Sequence, residues 1–210
     1  MLMDITNTRP STLQKKEALL DVACELFLTK GYAAVSIDEV VARVSQSKTN
    51  VYSWFGGKRE LFMACVRRML QVWVEHLRHD YSDMAPQEAL YGLGKKILEL
   101  VLSERAVILH RLVIAESVDF PEVAQAWMEA GPVQSYQLIA ELLDRFQHRG
   151  DFREVNSLSG AKFFHDLLLG DMQLQIMLGI RQPPTEAEIE RHLERVLDLF
   201  ITGYQTLRNQ

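Results

Sequence analysis

Apolar residues recur along most of this chain at intervals of three and four positions, the spacing that predicts amphipathic α-helices. The first such segment, from about residue 11 to about residue 30, places five apolar residues on one helical face: Leu19, Val22, Ala23, Leu26 and Phe27. Ser11 and Gln14 fit a capping box at its start, and Gly31 is expected to end it. No segment shows convincing strand alternation or an internal repeat, so we expect an all-α protein.

Two short helices are predicted next. The first follows Ser36, which fits a second capping box with Glu39, and the second follows Ser47. A three-residue turn separates them, and two glycines end the pair. Their inward positions carry four valines: Val40, Val41, Val44 and Val51. Two short capped helices joined by a tight turn are typical of a helix–turn–helix motif, which predicts an N-terminal three-helix domain.

A long amphipathic helix is predicted from Lys58 onward. Its buried side is expected to carry seven residues: Leu61, Phe62, Cys65, Met69, Val72, Trp73 and Leu77. Proline and glycine then divide the chain into five more helical stretches with short breaks, which favours antiparallel neighbours in a bundle. We therefore expect a disordered arm at 1–10, a helix–turn–helix domain at 11–57 and a larger antiparallel helical bundle at 58–210.

The last two predicted helices differ in their patterns. The segment 156–179 is apolar nearly all round, and a helix of that kind is buried on every side, so a partner subunit is a natural source of covering surface. The final helix follows a third capping box, Thr185 with Glu188, and carries one apolar stripe. His165 and Asp166 interrupt the apolar segment and need partners or a cavity. For them, the dimer interface is favoured over ligand contact.

The overall composition is that of an ordinary globular protein. The 210 residues are 48% hydrophobic and 24% charged, and no 18-residue apolar run or signal-peptide pattern is present. Two cysteines without a CxxC pair exclude a disulfide scaffold and a zinc ribbon, and reduced thiols fit a cytoplasmic protein. We therefore expect a cytoplasmic, nucleoid-associated protein with no membrane partner.

The net charge of −5 argues against a nucleic-acid partner only when it is treated as one number. Residues 1–70 contain 10 Lys and Arg against 7 Asp and Glu, whereas residues 71–210 contain 13 against 21. The first part is therefore net positive and the second net negative. Such asymmetry indicates a part that faces a polyanion and a separate acidic part.

The second short helix carries the groups that suit DNA. Lys48, Thr49 and Asn50 can reach base edges in a major groove, and Ser47 and Tyr52 suit phosphates. Three further residues are candidate contacts, each with a plain structural alternative as a helix cap, a core aromatic or a surface lysine: Ser36, Trp54 and Lys58. Phe55 is expected to lie in the core.

Specific motifs of this segment resemble a known family. They are Gly31-Tyr32, Ser36-Ile-Asp-Glu-Val-Val, Ser47-Lys48, Val51-Tyr52 and Trp54-Phe55-Gly-Gly-Lys58-Arg-Glu-Leu-Phe62. In order and spacing, over residues 13–66, they resemble the TetR/AcrR family of transcriptional regulators. The stretch from Arg111 through Phe120-Pro121-Glu122 to Gly131-Pro132 is similar to the AefR-type ligand-binding domain. The chain departs from the family pattern in its turn, where Ser45 replaces the usual glycine and Gln46 an apolar residue; a positive φ at Ser45 would carry a backbone cost.

The resemblance implies a homodimer that binds double-stranded operator DNA through its N-terminal domain and a small effector through its C-terminal domain. It also implies a four-helix dimer interface built from the last two helices of each subunit. For this interface we expect eight residues: Phe163, His165, Leu168, Met172, Leu193, Leu197, Phe200 and Tyr204. Six large residues of the middle helices are expected to line the effector pocket, although each also suits the core: Trp73, His110, Trp127, Met128, Tyr136 and Phe164.

No catalytic constellation was found, and neither a metal nor another cofactor is expected. His76 and His79 are spaced to share a metal, but no third ligand is near them in sequence, so a solvated face is the preferred interpretation. The sequence thus predicts a ligand-responsive regulator, expected to be a repressor that a small apolar or aromatic effector releases from a palindromic operator. The alternatives are a helical carrier or enzyme with a structural N-terminal motif, and a DNA-binding protein without a ligand.

Overall fold

The computed structural model describes residues 11–81 and 83–205, with the side chains of the last two excepted. The predicted arm at 1–10 therefore lies outside the described residues. Within the described ranges the chain forms ten α-helices and no strand, which confirms the all-α prediction. The helices are α1 Thr12–Ala34, α2 Ile37–Arg43, α3 Lys48–Phe55, α4 Lys58–Glu75, α5 Pro86–Val101, α6 Glu104–Glu116, α7 Pro121–Ala130, α8 Pro132–Arg149, α9 Ser157–Met177 and α10 Glu186–Gln205.

The chain folds as two compact units, which divide between Met69 and Leu70. This division falls inside α4, whereas the sequence pattern placed the domain boundary at the start of that helix. The first turns of α4 belong to the first unit because their apolar side chains pack there. The Phe62 ring meets the ring of Phe27 edge-on with 5.0 Å between the centroids.

Side-chain caps determine where the helices of the first unit begin. Ser11 Oγ accepts a hydrogen bond from the Gln14 N–H at 3.2 Å, and the Gln14 side chain accepts one from the Ser11 N–H at 2.8 Å, as a capping box requires. Ser36 Oγ and Ser47 Oγ cap α2 and α3 by accepting from the Glu39 and Asn50 N–H groups. The Glu39 side chain binds Lys30 and Arg43, so the second predicted capping box is only half formed. These serines satisfy N–H groups that a helix start otherwise leaves without a partner, so each helix has a defined first residue.

Gly31 ends the regular part of α1, as expected from the sequence. Its φ of +80° is outside the helical region, and only residues 32–34 follow it before α1 ends. The two cysteines of this unit, Cys24 and Cys65, are buried free thiols. Burial is also the main cause of the raised pKa of Cys65, which keeps its thiol protonated.

The second unit is a helical bundle around one apolar core. In it, α8 packs along α9 and α5 packs along α10. Gly94 lets α5 pack close to α10 and α9. A Cβ at this position would lie 2.8 Å from Leu193 Cδ1 of α10 and 3.2 Å from Leu168 Cδ2 of α9. The centre of the core is formed by residues with no measurable exposure, among them Leu90, Ile97, Leu98, Ile139, Leu143 and Phe164.

Two expectations about buried faces need correction. Val72 was placed on the buried side of α4, but 40% of it is exposed. The apolar segment 156–179 was expected to be buried on every side, yet α9 is kinked at Gly170 and exposes part of its apolar surface. Phe163 is 66% exposed, and Leu167 and Leu174 are exposed as well. One chain therefore covers only one side of this helix.

Six of the eight residues expected at the dimer interface are corrected by their burial. Of the eight, Phe163 is exposed, and the Tyr204 side chain lies outside the described residues. The other six are buried in the core of their own unit: His165, Leu168, Met172, Leu193, Leu197 and Phe200. The apolar stripe of α10 packs against α5 and α9, so a sequence stripe marked the inner face and not the outer one.

None of the helices within the described ranges has both the length and the apolar character needed to span a membrane.

The turn between α2 and α3 contains a backbone conformation that serine adopts at a cost. Ser45 has φ +51°, the left-handed region, and it is the one residue other than glycine with positive φ among the described residues. We expect Ser45→Gly to raise the free energy of unfolding by about 1 kcal/mol, because glycine enters this region without steric conflict. Denaturant unfolding followed by circular dichroism measures the change.

Ser53→Gly is the matched control, since Ser53 is exposed within α3. There glycine should lower the free energy of unfolding by roughly 0.5–1 kcal/mol. Equal effects of the two glycines would contradict the strain assigned to Ser45.

Candidate nucleic-acid interface and ligand cavity

The pair α2–α3 is held together by buried valines and a tight turn. Val40 and Val51 are fully buried, and Val41 is nearly so. In the turn, the Gln46 N–H donates to the Val41 carbonyl at 3.0 Å. At the far end, Gly56 terminates α3 with φ +102°. The motif is therefore formed despite the changes in its turn, and one side of α3 is left for another partner.

That outer side of α3 presents polar groups and one aromatic ring to solvent. Lys48 and Thr49 are exposed, and 56% of Tyr52 is exposed, which is unusual for a ring of this size. Asn50 and Trp54 are half-buried. The predicted groove-facing residues thus share one helix, with Tyr52 and Lys48 most accessible.

Two of the polar groups on α3 already have partners within the protein. The Lys48 ammonium lies 2.8 Å from the Asp38 carboxylate, and this hydrogen bond raises the pKa of Lys48. Both side chains are exposed, so the pair is weak and open to exchange. The Asn50 amide donates to Gln46 Oε1 at 2.8 Å, which orients the amide and leaves its oxygen to accept.

Lys58 has an intramolecular role that the sequence did not indicate. Its ammonium donates to the Ala33 carbonyl at 3.1 Å and lies 4.5 Å from the centre of the Tyr32 ring. It thereby ties the start of α4 to the end of α1. Phe55, expected in the core, is half-buried under the Lys16 ammonium at 5.1 Å.

The second unit contains a cavity of about 250 Å³ that is partly open to solvent. Its walls come from the last turns of α4, from α5 and α6, from the α7–α8 turn and from α9. Five of the six residues predicted for an effector pocket line it: Trp73, His110, Trp127, Met128 and Tyr136. Phe164 does not; its ring packs in the core with its centroid 4.9 Å from that of Phe200.

Aromatic rings form much of the cavity wall. The His110 and Trp127 rings stack with 4.3 Å between centroids and 20° between planes. Tyr136 meets His165 edge-on at 4.9 Å. Burial lowers the pKa of His110, and it raises that of Tyr136 with a further contribution from the charge of Asp166. Both rings are therefore uncharged near neutral pH.

His165 and Asp166 lie in this cavity wall, which favours the ligand contact over the interface role that the sequence pattern favoured for them. His165 is only 5% exposed, and its Nδ1 has no hydrogen-bond partner among the described residues. Burial lowers the pKa of His165 to about 4, against the opposing effect of the Asp166 charge. The interruption of an apolar helix by these two polar residues was the sequence signal for the cavity.

The paired histidines at the end of α4 have other contacts. His76 Nδ1 lies 2.6 Å from the Val72 carbonyl, and the His79 ring lies against Tyr81. Across the described ranges, no three side chains of His, Cys, Asp or Glu come together as a possible metal site.

Family models match both parts of the chain. The model for bacterial regulatory proteins of the tetR family matches residues 19–65, and the model for the C-terminal domain of AefR-like transcriptional repressors matches residues 88–206. The chain is also 24% identical over 196 residues to the HTH-type transcriptional regulator RutR of Escherichia coli (strain K12). This match covers 80% of the chain and 91% of RutR.

Solved structures agree with this assignment. A structure described as a TetR-family regulator from Mesorhizobium loti matches with a TM-score of 0.80 and 23% identity, over 94% of this chain and 99% of that one. The flavonoid-responsive regulator FrrA matches with a TM-score of 0.78 and 26% identity, over 90% and 96% of the two chains. The AefR-like model alone spans more than half of the sequence. The chain therefore belongs to the TetR family of bacterial transcriptional regulators and has an AefR-like C-terminal domain.

Proposed function

We propose that this TetR-family regulator is a homodimeric repressor, which binds a palindromic operator through α3 and leaves it when a small apolar or aromatic effector occupies the cavity. The observation that carries the DNA-binding part is the exposed face of α3, where Lys48, Thr49 and Tyr52 face solvent while Val51 is buried. The first unit would hold the DNA-binding function, and the second unit, from Leu70 onward, effector binding and dimerisation. The cytoplasm, where the chromosome lies, is the corresponding location.

The exposed apolar face of α9 and α10 supports a second copy of this chain as partner. Phe163, Leu167 and Leu174 of α9 and Leu199 of α10 are large apolar residues in contact with solvent. Phe163 and Leu167 are four positions apart, which places them on one side of the first part of α9, and Leu174 is exposed beyond the kink at Gly170. Apolar patches of this kind on a folded protein mark interaction surfaces.

Two-fold symmetry connects the dimer to the operator. The two α3 helices of a symmetric dimer would enter major grooves about 34–36 Å apart, or a multiple of that distance, and would read inverted half-sites. An effector that binds better to a conformation with a different spacing shifts the population away from the DNA-competent state. The coupling is reciprocal, so operator DNA would weaken effector binding by the same factor.

The cavity supports an effector that is mostly apolar. Its walls carry Trp73, Trp127 and Met128 beside aliphatic side chains. FrrA, similar in fold to this chain, is by its name responsive to flavonoids, which are aromatic molecules. An aromatic effector is therefore proposed here.

Removing the two most exposed polar groups of α3 tests the DNA-binding part. We expect Lys48→Ala and Tyr52→Phe each to reduce operator affinity roughly tenfold, because each loses one contact while the fold is retained. Genomic fragments selected by the parent protein supply the operator, and fluorescence anisotropy measures the affinity. Lys48→Ala should also make the affinity less sensitive to salt.

Lys162→Ala is the control, since Lys162 is an exposed lysine of α9 in the other unit. Parent-like affinity of both α3 variants would refute the placement of the recognition helix. A parent protein without any salt-sensitive DNA complex would instead favour the carrier or enzyme alternative.

Replacing the acidic partner of Lys48 should have the opposite effect. Asp38→Asn removes a carboxylate that lies 2.8 Å from the Lys48 ammonium and would repel phosphate. We expect operator affinity to rise several-fold at low salt, with a smaller gain at high salt as ions screen the repulsion. Competition binding with the same operator fragment measures the change. A loss of affinity in a folded Asp38→Asn protein would mean that the carboxylate itself contributes to recognition.

Charges on the exposed apolar face test the dimer. We expect Leu174→Glu combined with Phe163→Glu to convert the dimer to a monomer, because two copies would bring four buried carboxylates together. Light scattering coupled to size exclusion measures the mass, and circular dichroism checks the helical content. Val118→Glu is the control, since Val118 is 86% exposed and lies outside α9 and α10. A dimer that survives both glutamates would place the interface elsewhere.

A further inference from the structure

The charged residues around the cavity restrict the class of ligand that it can bind. None of the described residues that line it is lysine or arginine, and the one acidic residue is Asp166, whose side chain is exposed. An anionic ligand would lose its hydration without gaining a cationic partner. Anionic molecules are therefore disfavoured.

A cationic ligand gains little more from these walls. Asp166 is the nearest fixed negative charge, but water screens an exposed carboxylate and reduces its attraction. The two histidines of the lining, the buried His165 and the half-buried His110, are neutral near pH 7 because burial lowers the pKa of each. A buried ammonium would therefore lack a buried counter-charge, which makes its desolvation costly.

The same walls favour a flat molecule with one polar group. The stacked pair of His110 and Trp127, together with Trp73 and Tyr136, offers planar rings that suit an aromatic ligand. His165 is 95% buried, and its Nδ1 has no partner among the described residues. The His165 ring lines the cavity, and a neutral imidazole has one nitrogen that accepts a hydrogen bond, so a small turn of the ring would let a ligand O–H supply the missing partner.

We infer that the cavity binds an uncharged aromatic molecule of two or three rings that carries a hydroxyl group, and that this hydroxyl donates a hydrogen bond to the imidazole of His165. The inference rests on the proposed role of the cavity as the effector site. The cavity volume of about 250 Å³ lies just below the range of about 300–1,000 Å³ that is typical of sites for drug-sized ligands. It therefore favours a small ligand of two or three rings over a larger molecule.

Four probes that share one ring system test the ligand class on the full chain without DNA. They are 2-naphthol, naphthalene, 2-naphthoate and protonated 2-naphthylmethylamine, and titration calorimetry at pH 7 measures their affinities. We expect 2-naphthol to bind about tenfold more tightly than naphthalene, since one hydrogen bond distinguishes them. The two charged probes should bind more weakly than naphthalene. Binding of either charged probe as tight as that of 2-naphthol would overturn the inference.

His165 variants test the polar contact. His165→Phe keeps a ring but removes both nitrogens, and we expect it to lose the tenfold preference for 2-naphthol while its affinity for naphthalene is unchanged. His165→Gln restores an acceptor and should recover part of the preference, which a merely structural role of His165 would not produce. His148→Phe is the control, because His148 lies on α8 outside the cavity lining. An unchanged preference in folded His165→Phe would refute the contact.

The outcome separates this inference from the proposed function. If 2-naphthol binds as expected but does not release operator DNA, the ligand class stands and the effector role of the cavity fails. If no probe binds while operator affinity is intact and salt-sensitive, the DNA-binding role stands and the ligand class is wrong.

Discussion

The second unit depends on one constraint, which is that the apolar side chains of α9 must be buried on more than one side of the helix. Successive residues of a helix point about 100° apart, and here four consecutive residues face three different surroundings. Phe163 faces solvent, Phe164 lies in the core, His165 lines the cavity and Asp166 lies at the cavity with an exposed side chain. An apolar helix of this kind cannot be covered by one small bundle, so the cavity and the exposed face are both consequences of its composition.

Because one helix forms both surfaces, a ligand in the cavity and a partner on the exposed face act on the same backbone. The kink at Gly170 lies between the cavity residues Leu169 and Gln173. Just before it, the Leu168 carbonyl lies 2.8 Å from His192 Nε2, which links α9 to α10 at this point. Packed helices transmit small displacements because their interiors are dense and compress little. The proposed effector response can therefore reach the proposed dimer face within this unit alone.

The parts that could be predicted from the sequence depend on local interactions. Ser11, Ser36 and Ser47 cap the helices they were expected to cap, since the cap and the N–H group it satisfies are three residues apart. The valines of α2 and α3 were placed inside for a similar reason, because helical spacing alone puts them on the shared face. Five of the six residues predicted for the effector pocket line the cavity, and they were predicted because they are large side chains of the middle helices.

The errors arose where the packing partner decides the outcome. A stripe on α10 shows that Leu193 and Leu197 share a side, but it cannot show whether that side meets the same chain or a second copy. His165 was assigned to the interface for the same reason, since a polar residue in an apolar helix is explained equally well by either surrounding. Lys58 shows that the partners of charged side chains are hard to predict from sequence. Its hydrogen bond to the Ala33 carbonyl joins residues 25 positions apart, and no local pattern encodes it.

Charge in the first unit acts through its position more than its total. The net excess of three positive charges in residues 1–70 is small. Several of the basic side chains are also paired within the unit, since Lys30 and Arg43 both bind Glu39 and Lys48 binds Asp38. Both side chains of the Lys48–Asp38 pair are exposed, so exchanging that carboxylate for a phosphate of DNA costs little. A phosphate backbone carries many closely spaced charges and releases counterions on binding, which a single aspartate does not. The proposed interface therefore does not need a large net charge, because an exposed lysine beside a capped helix start can change partners when DNA arrives.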